Sequence, residues 1–504
     1  MHQEGILKKE DNFSGWYNEI LKRARILDVR YPVKGEYVWY PYGLKLRNLI
    51  YNILRSLMDK EHEEVLFPLL IRRDELLKEK EHIRGFENEV FWVTHGGSTE
   101  LDIPLALRPT SETAIYPVFK LWIRSHRDLP VRIYQIVNTF RYETKHTRPL
   151  IRVREITSFK EAHTAHASRA EAEEQIKKAV ALYKDFFDQL AIPYVITKRP
   201  GWDKFPGAEY SIAFDTLMPD GRAMQIATIH LLGESFARTF DIRYEAEDGS
   251  SKLVNQTCYG ISERCVAAVI AIHGDEHGLV LPPRVAPIQV VIVPVIFSGD
   301  KHGGGMEEVK EACISLYEAL KGANIRVILD DSPDRPGAKY YYWEMKGVPL
   351  RIELGPRDLS NNSCIFVRRD SFKKTEVPLN NAVPEAKRTL DDIQRQLHAR
   401  AREEFASNIV SVSISSEERD SNMEMEEIRE AVGKGIVSLF LCDNESCGKE
   451  LEDTLGASVL GEVYEHEYEY KDEDKGVEEG DSKKVACAIC GRRSGSRVLV
   501  ARTY

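Results

Sequence analysis

Long apolar runs are missing from this 504-residue sequence. Its most hydrophobic stretches, residues 265–272 and 288–297, fall well short of the roughly 20 residues that a membrane-crossing helix needs, so no membrane partner is expected. Excess positive charge is missing too. Seventy Lys and Arg against eighty Asp and Glu leave a net charge of -10, which excludes holding nucleic acid through a general basic field; such a partner has to be met by local patches. Residues 1–13, MHQEGILKKEDNF, contain no apolar core of signal-peptide length, so secretion is not expected and a cytoplasmic location is. Eight cysteines in so long a chain do not make a disulfide framework. No repeat is visible, and the one low-complexity piece, acidic residues 466–481, is expected as a solvated loop. At about 150 residues per domain the length implies roughly three domains, and 42% apolar with 30% charged residues is globular composition.

Local patterns then organise the chain. Leu46, Leu49, Ile50, Ile53, Leu54 and Leu57 recur at helical spacing within residues 43–60, and residues 64–70 follow as a strand interrupted by Pro68. Residues 131–143 and 151–161 are rich in β-branched and aromatic types and predict two antiparallel strands around a charged tip. Ser168 and Glu171 form a capping box ahead of Ile176, Val180, Tyr183, Phe187 and Leu190. Strands at 210–214 and 224–232 and a helix at 262–273 complete an α+β block with antiparallel pairing. After Pro282, Pro283 and Pro287 the pattern becomes strand (288–295), helix (306–320), strand (325–329) and strands near Leu350 and Ile365, an α/β domain. From Pro384 an amphipathic helix through Leu390, Ile393, Leu397, Ala401 and Phe405 leads into a third region. The expected domains are 1–283, 284–383 and 384–504.

The segment from Arg132 to Arg154 departs most from the global charge: six Lys or Arg and one acid, Glu143, give a local net of +5. Alternation along strands would place Arg141 with Glu143 on one face, and likewise Arg152 with Arg154 on the partner strand, so that both strands can aim into one cleft. Arginine is suited to gripping an anion because its planar fork binds phosphate bidentately and stays charged when dehydrated; a solvated, ion-paired strand face is the alternative. In residues 107–113, LRPTSET, Thr110 or Ser111 would cap the following helix with Glu112 in its first turn. Within 224–233, Thr228 and His230 alternate onto one face and Gln225 onto the other. Cys442, Cys447, Cys487 and Cys490 form C-x4-C and C-x2-C pairs separated by 39 residues, a thiolate set suited to a structural Zn2+, with free cysteines as the alternative. Cys258, Cys265, Cys313 and Cys364 are expected to pack as small apolar groups.

The order of RPTSET, FRYETKHTRPLIRVRE, EAHTAH, QIATIHLLG, GISER and HGDEHGLVLPPRVAP resembles the prolyl-tRNA synthetases of archaeal and eukaryotic type, which are class II aminoacyl-tRNA synthetases. The resemblance spans the chain. It implies an α+β fold: a class II antiparallel catalytic sheet, an α/β anticodon-binding domain and a C-terminal α/β zinc-binding domain. It implies Mg2+-dependent use of ATP to join L-proline to tRNA(Pro) through prolyl-adenylate, by a homodimer. The implied catalytic residues are Arg141 and Arg264. Arg141, Glu143, Arg152, Val153, Gln225, Thr228, Ser262 and Arg264 would hold ATP, with Ile156 or Phe159 against the adenine. Thr110, Glu112, Arg141, Phe159, Glu161, His163, Phe205 and His230 would form the proline pocket. Bacterial relatives carry an editing insertion between the second and third signatures; residues 161–260 leave no room for one, and some misactivation of cysteine or alanine is implied. Arg335, Lys339, Tyr340 and Arg351 are candidate anticodon readers, and Tyr504 is expected near the active site. A catalytically silent relative would lack the arginines, and a zinc-centred RNA binder would not adenylate. A threonine enzyme would call for Cys and His metal ligands in the N-terminal half, where none is evident.

Overall fold

A computed structural model describes residues 7–78, 87–144, 146–295, 305–412, 421–465, 486–492 and 496–504; acidic residues 466–481 lie outside them. Helix α1 is Phe13–Arg23, α2 Pro41–Met58, α3 Glu112–Trp122, α4 Arg169–Gln189, α5 Ser235–Phe240 and α6 Arg264–His273. The strands that this block gives to the main sheet are β1 (Glu63–Glu64), β2 (Val131–Phe140), β3 (Glu155–His166), β4 (Val195–Lys198), β5 (Tyr210–Leu217), β6 (Ala223–Gly233) and β7 (Asn255–Ile261). The Ser168 side chain accepts from the Glu171 N–H, and the Glu171 carboxylate accepts from Ala167 N–H, so α4 begins at the expected cap. Its apolar stripe, Ile176, Val180, Tyr183 and Phe187, is buried with Ile50 and Leu54 of α2 and Ile212, Phe214, Ile229 and Leu231 of the sheet. The opposite sheet face carries a smaller apolar cluster with α3 and α5 and opens into the site.

Two local expectations fail for identifiable reasons. Between residues 64 and 70 only Glu63–Glu64 and Leu70–Arg72 pair as strands. Side chains take the place of the missing ladder: Arg108 Nη1 donates to the carbonyls of Phe67 (2.8 Å) and Pro68 (3.2 Å), and Phe67 N–H donates to Gln135 Oε1 (2.9 Å). The β2 and β3 ladder also stops earlier at the tip than expected, at Phe140 paired with Glu155, while β3 continues to His166. Arg152 and Arg154 therefore lie outside the strand and do not share a face: Arg154 stacks over the Tyr142 ring at 4.0 Å, whereas Arg152 lines the cleft.

In the middle block β8 (Val290–Pro294), β9 (Val327–Leu329) and β10 (Leu350–Leu354) are parallel, and β11 (Ser363–Arg368) and β12 (Lys374–Pro378) are antiparallel additions, in the order β9-β8-β10-β11-β12. Helices α7 (Gly305–Gly322), α8 (Pro336–Met345) and α9 (Ala382–Ser407) follow β8, β9 and β12. The C-terminal region adds β13 (Ile409–Ser411), α10 (Ser421–Lys434), β14 (Ile436–Leu441), α11 (Glu445–Leu455), β15 (Ser458–Glu465) and β16 (Ser496–Ala501). These strands join the first block in one eleven-stranded sheet, β13-β14-β16-β15-β4-β5-β6-β7-β3-β2-β1. At the seam Glu462 pairs with Lys198 and Val463 with Thr197. Gly461 sits there at φ +122°, and a Cβ would fall 2.1 Å from the Lys198 carbonyl, so only glycine permits this approach. Arg199 locks the seam: its guanidinium holds both oxygens of buried Asp215 (2.8 and 2.9 Å) and donates to the Leu460 carbonyl (2.8 Å).

Candidate active site

Two adjoining cavities of 520 and 240 Å³ share Arg141, Phe159, Gln225, Thr228, Gly260 and Arg264, and together form one cleft over β3, β5, β6 and β7. Two β-bulges make this wall. On β6 the pairing steps from Phe214 with Ala227 to Asp215 with Gln225, leaving Ile226 as the extra residue. Gln225 is thereby turned onto the face of Thr228 and His230, against simple alternation, while Met224, Ile226, Ala227 and Ile229 pack into the core. On β3 the pairing steps from Val137 with Phe159 to Thr139 with Ile156. Ile156 and Phe159, three residues apart, then both line the smaller cavity, and Phe159 the larger as well. Gly260 makes room for this ring: a Cβ there would lie 3.0 Å from Phe159. The displaced hydroxyls of Thr157 and Ser158 both donate to the buried Glu263 carboxylate.

The larger cavity gathers Glu112 of α3, Glu161 and His163 of β3 and His230 of β6. Thr110 Oγ1 donates to Glu112 Oε2 at 2.5 Å. Ser111 occupies the N-cap position of α3 but makes no side-chain cap; its hydroxyl and N–H donate to Glu161 instead. Burial pushes the Glu161 carboxyl up, but His163, Ser111 and Gln135 outweigh it and hold it below the ordinary glutamate value. His163 Nδ1 lies 3.0 Å from the Tyr116 hydroxyl. His230 Nδ1 lies 2.8 Å from Ser211 Oγ, and its ring stacks on Phe205 with centroids 4.5 Å apart. Every residue expected in the proline pocket lines this cavity: Thr110, Glu112, Arg141, Phe159, Glu161, His163, Phe205 and His230.

The smaller cavity is cationic. Glu143, Arg152, Val153 and Ser262 line it with Arg141, Gln225, Thr228 and Arg264, so all the residues expected to hold ATP are together. Arg264 is held by carbonyls, Nε to Ile151 (2.9 Å) and Nη1 to Gln225 (3.1 Å). Burial, with Arg141 and Arg152 nearby, brings its pKa down to about 10. Burial likewise lowers that of Arg141. Three guanidiniums forced together in a cleft form a standing demand for an anion.

Several lining residues carried no usable sequence signal. Ser211, Asp215 and Arg199 reach the larger cavity through strand register. Tyr504, expected near the active site, lines it, its hydroxyl donating to Asp220 (2.7 Å) and its ring beneath Arg148 at 5.1 Å. Cys258 is buried as expected, yet it also forms cavity floor, and with Glu112 and His163 it makes a group whose ligand atoms all lie within 4.8 Å. The catalytic block therefore gathers donors of metal-ligand type from elements far apart in sequence.

In the middle block two of the four candidate base readers are structural. Arg351, 8% exposed, pairs with Glu344 (2.8 Å) and Glu353 (3.0 Å) and stacks on Tyr340 at 4.0 Å. Lys339 is buried and donates to the Asp330 carbonyl at 2.8 Å. Arg335 is exposed and Tyr340 half-buried, and the unforeseen Tyr341 is 66% exposed on α8. In the C-terminal region the four sulfurs of Cys442, Cys447, Cys487 and Cys490 lie within 4.8 Å of one another. Burial pushes Cys487 up, but nearby backbone N–H groups prevail and bring it to about 7. An all-thiol donor set in this grouping fits tetrahedral zinc.

Sequence and structure comparisons identify the family. Residues 91–273 match the tRNA synthetase class II core domain (G, H, P, S and T), residues 289–389 the anticodon binding domain, and residues 425–504 the prolyl-tRNA synthetase C-terminal domain. The chain is 52% identical over 503 residues to the proline--tRNA ligase of Methanosarcina mazei, covering 100% of this chain and 99% of that protein. It is 54% identical over 504 residues to that of Methanothrix thermoacetophila, covering 100% and 99%. The Giardia lamblia prolyl-tRNA synthetase in complex with prolyl-adenylate superposes with a TM-score of 0.91 at 37% identity, covering 99% of this chain and 100% of that one. The Cryptosporidium parvum enzyme complexed with halofuginone and AMPPNP gives 0.89 at 33% identity, covering 99% and 97%. The chain belongs to the prolyl-tRNA synthetase family of class II aminoacyl-tRNA synthetases, in its archaeal and eukaryotic form.

Proposed function

We propose that this proline--tRNA ligase works in two steps within the one cleft, activating L-proline with ATP and then passing the prolyl group to tRNA(Pro). The observation that carries the assignment of roles is that Arg141 and Arg264 border both the cavity holding Glu112, Glu161 and His163 and the cationic one, which Arg152 also lines. The proline carboxylate attacks the α-phosphate of ATP, forming prolyl-adenylate and releasing pyrophosphate, and a tRNA terminal hydroxyl then takes the prolyl group and releases AMP. No protein nucleophile is needed; catalysis consists of holding two anions in line and stabilising the charge that grows on the transferring group. Arg141 borders both cavities and contacts the carboxylate and α-phosphate. Arg264 and Phe159 or Ile156 enclose the adenine, Glu143 accepts from its amino group, and Gln225, Thr228 and Ser262 hold ribose and phosphate beside Arg152 and Val153. Mg2+ arriving with ATP would neutralise charge on the phosphates beside these arginines. Glu112 and Thr110 accept from the ring ammonium of proline, while Phe205 stacked on His230, Glu161 and His163 shape the ring pocket.

The remaining assignments have separate supports. A structural Zn2+ on the four grouped cysteines would brace α11 against the C-terminal strands. Residues 167–254 are taken up by α4, α5 and their strands, which supports activation without an inserted editing domain; cysteine and alanine are then rejected only by pocket fit, worth about 1 to 3 kcal/mol per methylene. Exposed Leu66 (81%), Leu121 (62%) and Trp122 (47%) are the kind of apolar surface that a homodimer covers. No helix among the described residues is long and apolar enough to cross a membrane, and we place the enzyme in the cytoplasm with its tRNA. Pyrophosphate exchange with each of the twenty amino acids, with and without tRNA, tests the whole reading. Proline should dominate, with weak cysteine and alanine signals; exchange driven best by threonine, or by none, overturns it.

A further inference from the structure

We propose that Glu112, His163 and Cys258 form a metal site in the floor of the amino-acid cavity, taking a borderline transition-metal ion such as Zn2+ when the cavity holds no proline. Three elements bring the donors together. Cys258 on β7 pairs with His163 on β3, and Glu112 enters from the first turn of α3. Their ligand atoms all lie within 4.8 Å of one another, the three residues are buried, and all three border the 520 Å³ cavity. One thiol, one imidazole and one carboxylate suit zinc better than Mg2+ or Ca2+, which prefer all-oxygen sets. Three protein donors with an open side onto a cavity leave one coordination position for solvent or ligand.

The surroundings orient the donors as supporting groups do at a metal centre. With Nδ1 of His163 hydrogen-bonded to the Tyr116 hydroxyl at 3.0 Å, Nε2 is the ring nitrogen open to a cation, which would replace its longer 3.4 Å contact with Glu161 Oε2. Thr110 holds one oxygen of Glu112. Glu161, whose Oε2 lies 3.4 Å from His163 Nε2, adds negative charge at the edge. On binding, Cys258 releases its thiol proton to solvent, so one thiolate, one carboxylate and a neutral imidazole balance the dication. The same Glu112 carboxylate accepts the proline ammonium in the assignment given above, on which the exclusion of proline rests: a cation coordinated there removes that acceptor, and bound proline in turn closes the open side.

The test uses the full-length protein with its four-cysteine site left intact, dialysed against buffered Zn2+ and assayed for metal by emission spectrometry. Without substrate the chain should take up one zinc equivalent that is absent when a non-hydrolysable prolyl-adenylate analogue, prolyl-sulfamoyl-adenosine, is present. In pyrophosphate exchange the same Zn2+ should raise the apparent KM for proline tenfold or more, leaving kcat and the KM for ATP unchanged. Cys258→Ser should lose the additional equivalent, and with Co2+ it should lose a thiolate charge-transfer band that the analogue also abolishes in the wild-type chain. Uptake indifferent to the analogue, or inhibition competitive with ATP rather than proline, overturns the site without needing the variant. Exchange with proline at trace zinc reports on the synthetase assignment independently of either result.

Discussion

Replacing Arg141 by Ala examines the central assignment directly. The guanidinium borders both cavities, and its Nε lies 3.3 Å from the Pro109 carbonyl. Burial lowers its pKa while Glu89, Glu112, Glu161 and Glu143 oppose that shift, so it remains a cation fixed before substrate arrives. Arg152 and Arg264 stay in place in the variant to bind nucleotide. The loss should therefore fall on charge developing in the transition state rather than on ATP affinity, roughly 10² to 10³ in kcat, or about 3 to 4 kcal/mol, the scale for one preorganised donor. Lysine at this position keeps a point charge but loses the planar fork and should recover about a tenth of the activity or less. Stability is measured alongside, because the variant also leaves Glu89, Glu112, Glu161 and Glu143 without this cation. The assay is proline-dependent pyrophosphate exchange, with thermal melting as the control. Exchange within about threefold of wild type, or a loss that simply follows a fallen melting temperature, refutes the role.

Three further outcomes follow from other parts of the molecule. His166 is buried against Thr164, and burial, with Arg132 and Lys178, brings its pKa down to about 4. A depressed imidazole contributes stability that is complete above its unfolded value near 6.5 and is lost as pH falls toward 4, so going from pH 7 to pH 5 should cost about 2 kcal/mol through this group; in His166→Asn, urea midpoints should lose that part of the slope. Arg199→Met strands Asp215, whose carboxyl burial already pushes up against the pull of Arg199, and should cost about 3 to 5 kcal/mol in denaturant unfolding, with Asp215→Asn on the same chain restoring part of it. Cys487→Ser should abolish the zinc that remains bound in the presence of the prolyl-adenylate analogue and lower the melting temperature, since α11 and β16 lose their common anchor; retained metal in that variant would exclude the four-cysteine site.

What the sequence determined by itself is local. The capped stripe of α4, the apolar strands of the central sheet and the alternation of β8 with α7 are written in neighbouring residues, because caps and periodicity act within one or two turns. The arginine-rich segment betrayed an anion site through charge alone, and the cysteine pairs announced their chemistry by spacing. Tertiary structure decided what depends on register and on contacts between distant segments. Bulges at Ile226 and at 157–158 rotate Gln225 and Phe159 into the cleft, and no periodic pattern marks a bulge that its partner strand imposes. Arg351 and Lys339 look like free cations in the sequence but are consumed by Glu344, Glu353 and Asp330. The C-terminal strands lie far from the catalytic ones in sequence, and only the backbone approach at Gly461 and the Arg199 clamp show that they continue the catalytic sheet. Cys258 could be read only as a small buried group until pairing across two strands set it beside His163 and Glu112, because hydrophobic pattern specifies which face of a strand is buried and not which buried donors meet.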